Sequence, residues 1–285
     1  MLIMFGANPV DLDLRASLVR SLARASERDP YLEILTEGRD HSHSDGWGRI
    51  LISVSRSGDS IISREILERS LDPFYRDARA RRIEEDLDSS STGFVEMIHV
   101  REASRGMPVN IFSTHPAEAV SREGYRLYLI HNGTVDKQRI LEILGVEKES
   151  SYARLYGDTH MLAQLMALRI RDGISEDLFR EAVEYTLSAL NIGVILIREK
   201  DLEIGVGSFY KSGERISDRR NYYKIYRARV GKDLYTYVSS TVVDFYNPRK
   251  DIKWEEMPNG FFEVYRMRFE KNLDIEKILE LRLLE

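Results

Sequence analysis

Tyr125-Arg126-Leu127-Tyr128-Leu129-Ile130-His131-Asn132-Gly133 joins an apolar, strand-like run directly to a polar cluster ending in glycine. Alone, Asn132-Gly133 after such a run is a hairpin-turn signal. Similar polar clusters lie at or just after other expected strand ends: Asp45-Gly46-Trp47-Gly48, His99-Val100-Arg101-Glu102-Ala103-Ser104, Thr114-His115-Pro116 and Gly157-Asp158-Thr159. All six histidines lie in or beside these clusters. Loops carried by a rigid sheet are where sites are usually assembled, so the grouping points to a site within the first 160 residues.

Each cluster also has a plainer reading. Asp158 or Thr159 before an apolar helix is a natural N-cap. Trp47 between glycines suits core packing where backbones approach closely, and Arg101 near a strand end suits a structural ion pair. His41 and His43 have metal-like spacing but no third ligand, so they read as polar loop residues and no metal is expected.

In order, the clusters carry more information than they do singly. From Asp45-Gly46-Trp47-Gly48 to Gly157-Asp158-Thr159 the series resembles the stand-alone class II glutamine amidotransferases, of the N-terminal nucleophile hydrolase type, whose members typically begin Met-Cys-Arg-Leu-Leu-Gly. Fainter similarity continues in Tyr237-Val238-Ser239-Ser240-Thr241, Trp254 and Met257-Pro258-Asn259-Gly260. The resemblance implies one domain over residues 1–285 and an α+β fold, a four-layer αββα sandwich of two mostly antiparallel sheets. In that family an N-terminal cysteine attacks the side-chain amide of glutamine and its own α-amine serves as base.

By the same resemblance, the Asn132 side chain and the Gly133 amide face the oxyanion. Arg101 holds the substrate α-carboxylate through a planar fork, and Asp158 accepts from the α-ammonium. His99 and His115 complete the substrate-binding set, with His99 and His131 ordering loops rather than exchanging protons. The implied ligand is glutamine or a γ-glutamyl compound, with a synthase subunit as a possible partner and no cofactor.

The departure from the family lies at the start of the chain. Met1-Leu2-Ile3-Met4-Phe5-Gly6 keeps the spacing to the glycine but puts Leu2 where the nucleophilic cysteine belongs. The chain has no cysteine at all, which excludes a thiolate nucleophile or ligand. Methionine is not normally removed ahead of a bulky leucine, so the α-amine falls one residue upstream of its catalytic place, and both halves of the nucleophile-base pair are missing. His160 stands where an acidic residue is usual, and Ala117 where an aromatic is common. The expectation is a pseudoenzyme that keeps a glutamine-binding pocket. The alternative is an amidohydrolase or amidotransferase with another nucleophile, although no Ser or Thr lies near the start and Ser42 and Ser44 are internal.

Composition is consistent with this. A net charge of -5 argues against nucleic acid or an anionic membrane as partner, since both require a surplus of positive surface. No apolar run approaches the roughly 20 residues of a spanning helix, and the opening lacks signal-peptide features, so a cytoplasmic protein is expected. Charged residues at 31% fit a heat-adapted surface.

Periodicity gives the remaining outline. A strand over Leu2 to Phe5 precedes an amphipathic helix marked by Leu14, Leu18 and Leu22. Ile50 to Val54 and Ile61 to Ile62 flank a turn at Ser57-Gly58-Asp59, with Ser63 capping a following helix. Residues 75–87 read as a solvated helix and loop. Strands are expected at Phe94 to Val100, Tyr125 to Ile130, Ile192 to Ile197, Leu202 to Gly207, Leu234 to Ser239 and Phe261 to Phe269. Helices are expected at Asp136 to Leu144, Thr159 to Ile170 and Ser175 to Leu190, with an amphipathic segment from Leu273 to Leu284.

Overall fold

A computed structural model describes the chain except residues 8–10, 59, 200, 212–215, 247–251, 270–272 and 285, and the side chains of 216–219. The elements begin β1 (Leu2–Ala7), α1 (Leu12–Glu27), α2 (Pro30–Leu35), β2 (Trp47–Ser57), β3 (Ser60–Ser70), α3 (Ala78–Arg82) and β4 (Ser91–Val100). There follow β5 (Ala117–Val120), β6 (Arg126–Val135), α4 (Lys137–Leu144), α5 (Ser151–Leu155), α6 (Asp158–Arg169), α7 (Glu176–Glu184), β7 (Thr186–Ile197) and β8 (Asp201–Ser208). The chain ends with α8 (Ile216–Tyr223), β9 (Ile225–Val230), β10 (Leu234–Ser239), α9 (Ser240–Phe245), β11 (Glu255–Glu256), β12 (Phe261–Phe269) and β13 (Leu273–Arg282).

These elements form two compact units, and the fold class is α+β. The first unit, Met1–Glu102 with Glu214–Met257, holds a seven-stranded sheet in the order β11-β9-β10-β1-β4-β2-β3. Every pairing in it is antiparallel. The leucine spacing of α1 lays Leu14, Leu18 and Leu22, all fully buried, against Leu2, Met4, Leu51, Ile98 and Val238 of the sheet. Burial of each such side chain stabilises by about 1.5–3 kcal/mol. Asp11 caps α1 by accepting from the Leu14 amide, and Asp29 caps α2 with Pro30 in its first turn.

A buried ionic cluster interrupts this apolar face. Arg15 of α1 donates through Nε to Glu96 of β4 at 2.7 Å, and Arg49 of β2 approaches the same carboxylate at 3.4 Å while also pairing with Glu68 and Asp86. Arg15 also donates to the carbonyls of Ile83 and Glu84. The stretch expected as a solvated helix and loop thus buries Asp77, Ala80 and Ile83 and supplies partners to this cluster, because its charges answer arginines inside the unit.

The second unit, Ala103–Gly213 with Pro258–Glu285, holds a six-stranded antiparallel sheet in the order β13-β12-β8-β7-β6-β5. Met161, Leu162, Leu165 and Met166 of α6 pack on Leu127, Leu129, Ile192 and Val194 of its strands. Gly207 lets Phe262 lie over it; a Cβ there would sit 2.2 Å from the ring.

Three sequence expectations are corrected. Ser63 caps no helix: it lies in β3, paired with Val54 in an uninterrupted ladder to β2. The helix expected to Leu190 stops at Glu184, because Thr186 to Leu190 pairs with β6, Gly133 opposite Leu190 and Val135 opposite Thr186. Asn132-Gly133 is not a turn, since β6 runs through it. The turn residue Asp59 lies outside the described residues. No helix among the described residues is long and apolar enough to cross a membrane.

Candidate functional site

The sequence-derived residues fall into one cluster in each unit. In the second unit, β6 carries His131, Asn132 and Gly133, with Asn132 opposite Asn191 and a bulge between Gly133 and Val135. Gly133 has φ +145, and a Cβ there would lie 1.9 Å from the Ala189 carbonyl oxygen. Only glycine fits this approach. The bulge also frees the Val135 amide to donate to Asp158 Oδ2 at 3.0 Å. Asp158 Oδ1 accepts from the Thr159 amide at 2.9 Å.

Asp158 is therefore not the N-cap of α6, a place taken by Gly157; it sits in the first turn, tied to the strand that bears Asn132 and Gly133. Asp158 thus lies against β6 two residues beyond Gly133, while the Asn132 side chain, alternating with His131, faces away from α6. Two backbone amides occupy one lone pair on each oxygen, and an ionised carboxylate has about four acceptor positions, so the group can take further donors.

His131 joins the same elements. It is 2% exposed, and burial drives its pKa down despite the nearby Asp158 charge and the Ala189 carbonyl. The neutral ring has one donor. Because the Ala189 carbonyl, 2.9 Å from Nε2, can only accept, the proton is on Nε2, and Nδ1 accepts from Thr159 Oγ1 at 3.2 Å. His115, buried, precedes Pro116 through a cis peptide bond. His160 stacks on Tyr156 at 3.9 Å and lies 2.7 Å from the Tyr152 hydroxyl, within an aromatic cluster.

In the first unit, Arg101 follows β4 and is 7% exposed. Its backbone is clasped on both sides: its amide donates to the Gly46 carbonyl, and its carbonyl accepts from the Asp45 amide, each at 2.9 Å. Gly46 has φ +100, and a Cβ would meet the Ser70 carbonyl at 2.3 Å, so glycine at this position is what lets the chain make the clasp. Trp47 is core, donating through its indole N–H to Asp77 at 3.0 Å and meeting Phe74 edge-on. His99, in β4, is buried. Leu2 packs with Leu14, Leu18 and Ile98 on the helix-bearing face. Strand alternation places His99, next to Ile98, on the opposite face.

Sequence reasoning passed over one cluster in the first unit. The buried Asp29 carboxylate accepts from Thr241 Oγ1 at 2.8 Å and meets His43 Nε2 at 3.0 Å. Burial pushes its pKa up, but the His43 and Thr241 bonds outweigh that and hold it below the usual range. The Met1 amine lies 3.4 Å from Ser239 Oγ, and burial lowers its pKa to about 5 although the Asp29 charge opposes this. The local signal was Asp29-Pro30, a helix start. No group of three or more metal-ligating side chains occurs among the described residues.

Two antiparallel sheets with helices make this an α+β protein, and the solved structures it resembles include class II glutamine amidotransferases. One is the glutamine phosphoribosylpyrophosphate (PRPP) amidotransferase from B. subtilis complexed with ADP and GMP, at 14% identity and TM-score 0.49, covering 97% of this chain and 48% of that one. A structure described as the allosteric regulatory enzyme of purine biosynthesis matches at 13% identity and TM-score 0.48, again covering 97% and 48%. A glutamine aminotransferase class-II domain protein from Silicibacter pomeroyi matches at 11% identity and TM-score 0.44, covering 98% and 99%. The chain thus spans about half the length of the first two. No protein-family model matches the sequence, and no curated protein does.

Proposed function

We propose that this chain is a class II glutamine amidotransferase-like protein that keeps a pocket for glutamine or a γ-glutamyl compound and lacks cysteine-dependent glutaminase activity. The observation that supports it most is Asp158, held to the strand of Asn132 and Gly133 by the Val135 amide at 3.0 Å. A carboxylate so placed suits an ammonium at the end of the strand that bears Asn132 and Gly133. By the family resemblance, Arg101 of the first unit is the residue expected to take a ligand carboxylate, and the absence of any cysteine, with Leu2 packed toward α1, accounts for the lost chemistry. A cytoplasmic location and a synthase partner are part of the same reading.

Calorimetric titration tests the pocket. Glutamine, glutamate or a γ-glutamyl amide is expected to bind at millimolar concentration or below, and Arg101→Ala to weaken binding roughly 10- to 100-fold, the worth of hydrogen bonds to a charged group. No binding to wild type, or equal binding to Arg101→Ala, defeats the reading.

A second reading has one observation in its favour, the Met1 amine, with a pKa of about 5, set 3.4 Å from Ser239 Oγ. A neutral amine can draw the proton from a hydroxyl, the division of labour an amidohydrolase requires. Ammonia release from glutamine and a panel of amides separates the two readings. The first expects none above buffer; the second expects release that Ser239→Ala abolishes.

A further inference from the structure

At one edge of the first unit's sheet, β3 pairs with β2 from Ser57–Ser60 to Trp47–Ser70 and with no other strand among the described residues. An edge strand presents a row of unpaired backbone groups, and proteins usually guard it by shortening, bulging, proline or charge. The other edges follow that rule: β11 has two residues, β5 has four, and β13 is charge-rich with a bulge in its ladder. β3 is guarded by charge alone, through Arg64, Glu65, Glu68 and Arg69: it has 11 residues, no proline and no register shift, and it exposes Ile61 (43%) and Ile62 (52%) to solvent.

Its charges are self-complementary. A two-fold axis perpendicular to a sheet pairs antiparallel edges so that facing residues lie on the same face, which allows only partners an even number of positions apart. With the axis at Ile66, Arg64 faces the partner's Glu68, and the symmetry repeats the pair. Ile66 meets its own copy, Ser63 faces the partner's Arg69, and Ile62 enters the ladder opposite Ser70. No like charges oppose one another. Moving the axis to Arg64, Glu65 or Glu68 sets a like-charged pair at its centre, which is destabilising. Moving it to Leu67 leaves Ile62 as well as Ile61 outside the ladder, and moving it to Ser63 shortens the ladder to residues 60–66 and leaves Glu68 without a facing residue. Arg64 is exposed and gives Nη1 to the Asp86 carbonyl, and Glu68 accepts from Arg49 through Oε2, so each group has further donor or acceptor positions for a partner.

We infer that β3 is the contact edge of a homodimer in which two copies pair antiparallel about Ile66, with Arg64 of each facing Glu68 of the other. Analytical ultracentrifugation of the full chain at about 100 μM, well above a micromolar Kd, is expected to show a dimer. Arg64→Glu, which sets like charges opposite each other twice, is expected to weaken association at least tenfold with an unchanged circular dichroism spectrum.

Because the chain has no cysteine, a single introduced one reports its own surroundings. Ile66→Cys is expected to form a disulfide-linked dimer on mild oxidation, and Val120→Cys, at an exposed position on β5, is not. A monomeric wild type overturns the inference. So does a dimer that Arg64→Glu leaves intact, or one in which Ile66→Cys links no faster than Val120→Cys.

Discussion

Gly133→Ala is expected to destabilise the second unit by roughly 2–6 kcal/mol. A positive φ costs a residue with a side chain about 1–3 kcal/mol, and overpacking adds about 1–3 kcal/mol. Both apply, because the new methyl would lie 1.9 Å from the Ala189 carbonyl oxygen at φ +145. The strand cannot retreat without breaking the His131 bond to that carbonyl and the Val135 bond to Asp158. Urea unfolding of Gly133→Ala beside Gly231→Ala sets the combined backbone and steric cost against that of an ordinary left-handed glycine, since Gly231 has φ +61 and open space around it. If the two variants lose the same stability, the close approach at Gly133 is not what fixes the bulge.

Glu96→Ala carries the next largest effect. The carboxylate lies between Arg15 and Arg49, whose side chains are each 1% exposed. Without it Arg15 keeps only the carbonyls of Ile83 and Glu84, and a buried cation stripped of its anion costs about 3–5 kcal/mol. Arg49 loses less, because Glu68 and Asp86 remain. The comparison is Glu181→Ala, which breaks the exposed pair with Arg169 and is expected to cost under about 1 kcal/mol. Urea midpoints decide it, since guanidinium would screen the effect. A Glu96→Ala loss no larger than that of Glu181→Ala would mean that Arg15 is adequately held by carbonyls.

Local pattern carried much of the fold and little of the site. β12 spans the residues its alternation predicts, and α4 starts on the Asp136 cap that marks it. The β2–β3 hairpin stands where its turn residues put it. Errors arose where distant pairing overrode local preference. Ser63 looks like a cap until β2 is beside it, and residues 186–190 look helical until β6 is. Asn132-Gly133 shows this best, because the dipeptide has the chemistry of a turn and the structure uses its permissive glycine for a bulge.

For the site, the sequence supplied residue types and order, while placement came from contacts it does not display. Nothing local ties Asp158 to Val135, or Asp29 to Thr241. The facing of Leu2 is equally invisible in the sequence: the resemblance only suggests its position, and the pleat shows that it points toward α1.

The bond from Thr241 to Asp29 closes a loop over most of the chain, and the ladder of Leu2 to Val238 does the same for β1. While a nascent chain leaves the ribosome, β1 emerges early, yet one of its two flanking strands, β10, is not synthesised until residue 234. Contacts of such long sequence separation slow folding, and the intervening residues 103–213 belong to the other unit. Neither unit corresponds to one contiguous fragment, so a chain truncated before β9 would lack part of both sheets, and neither unit can be expressed alone by simple truncation.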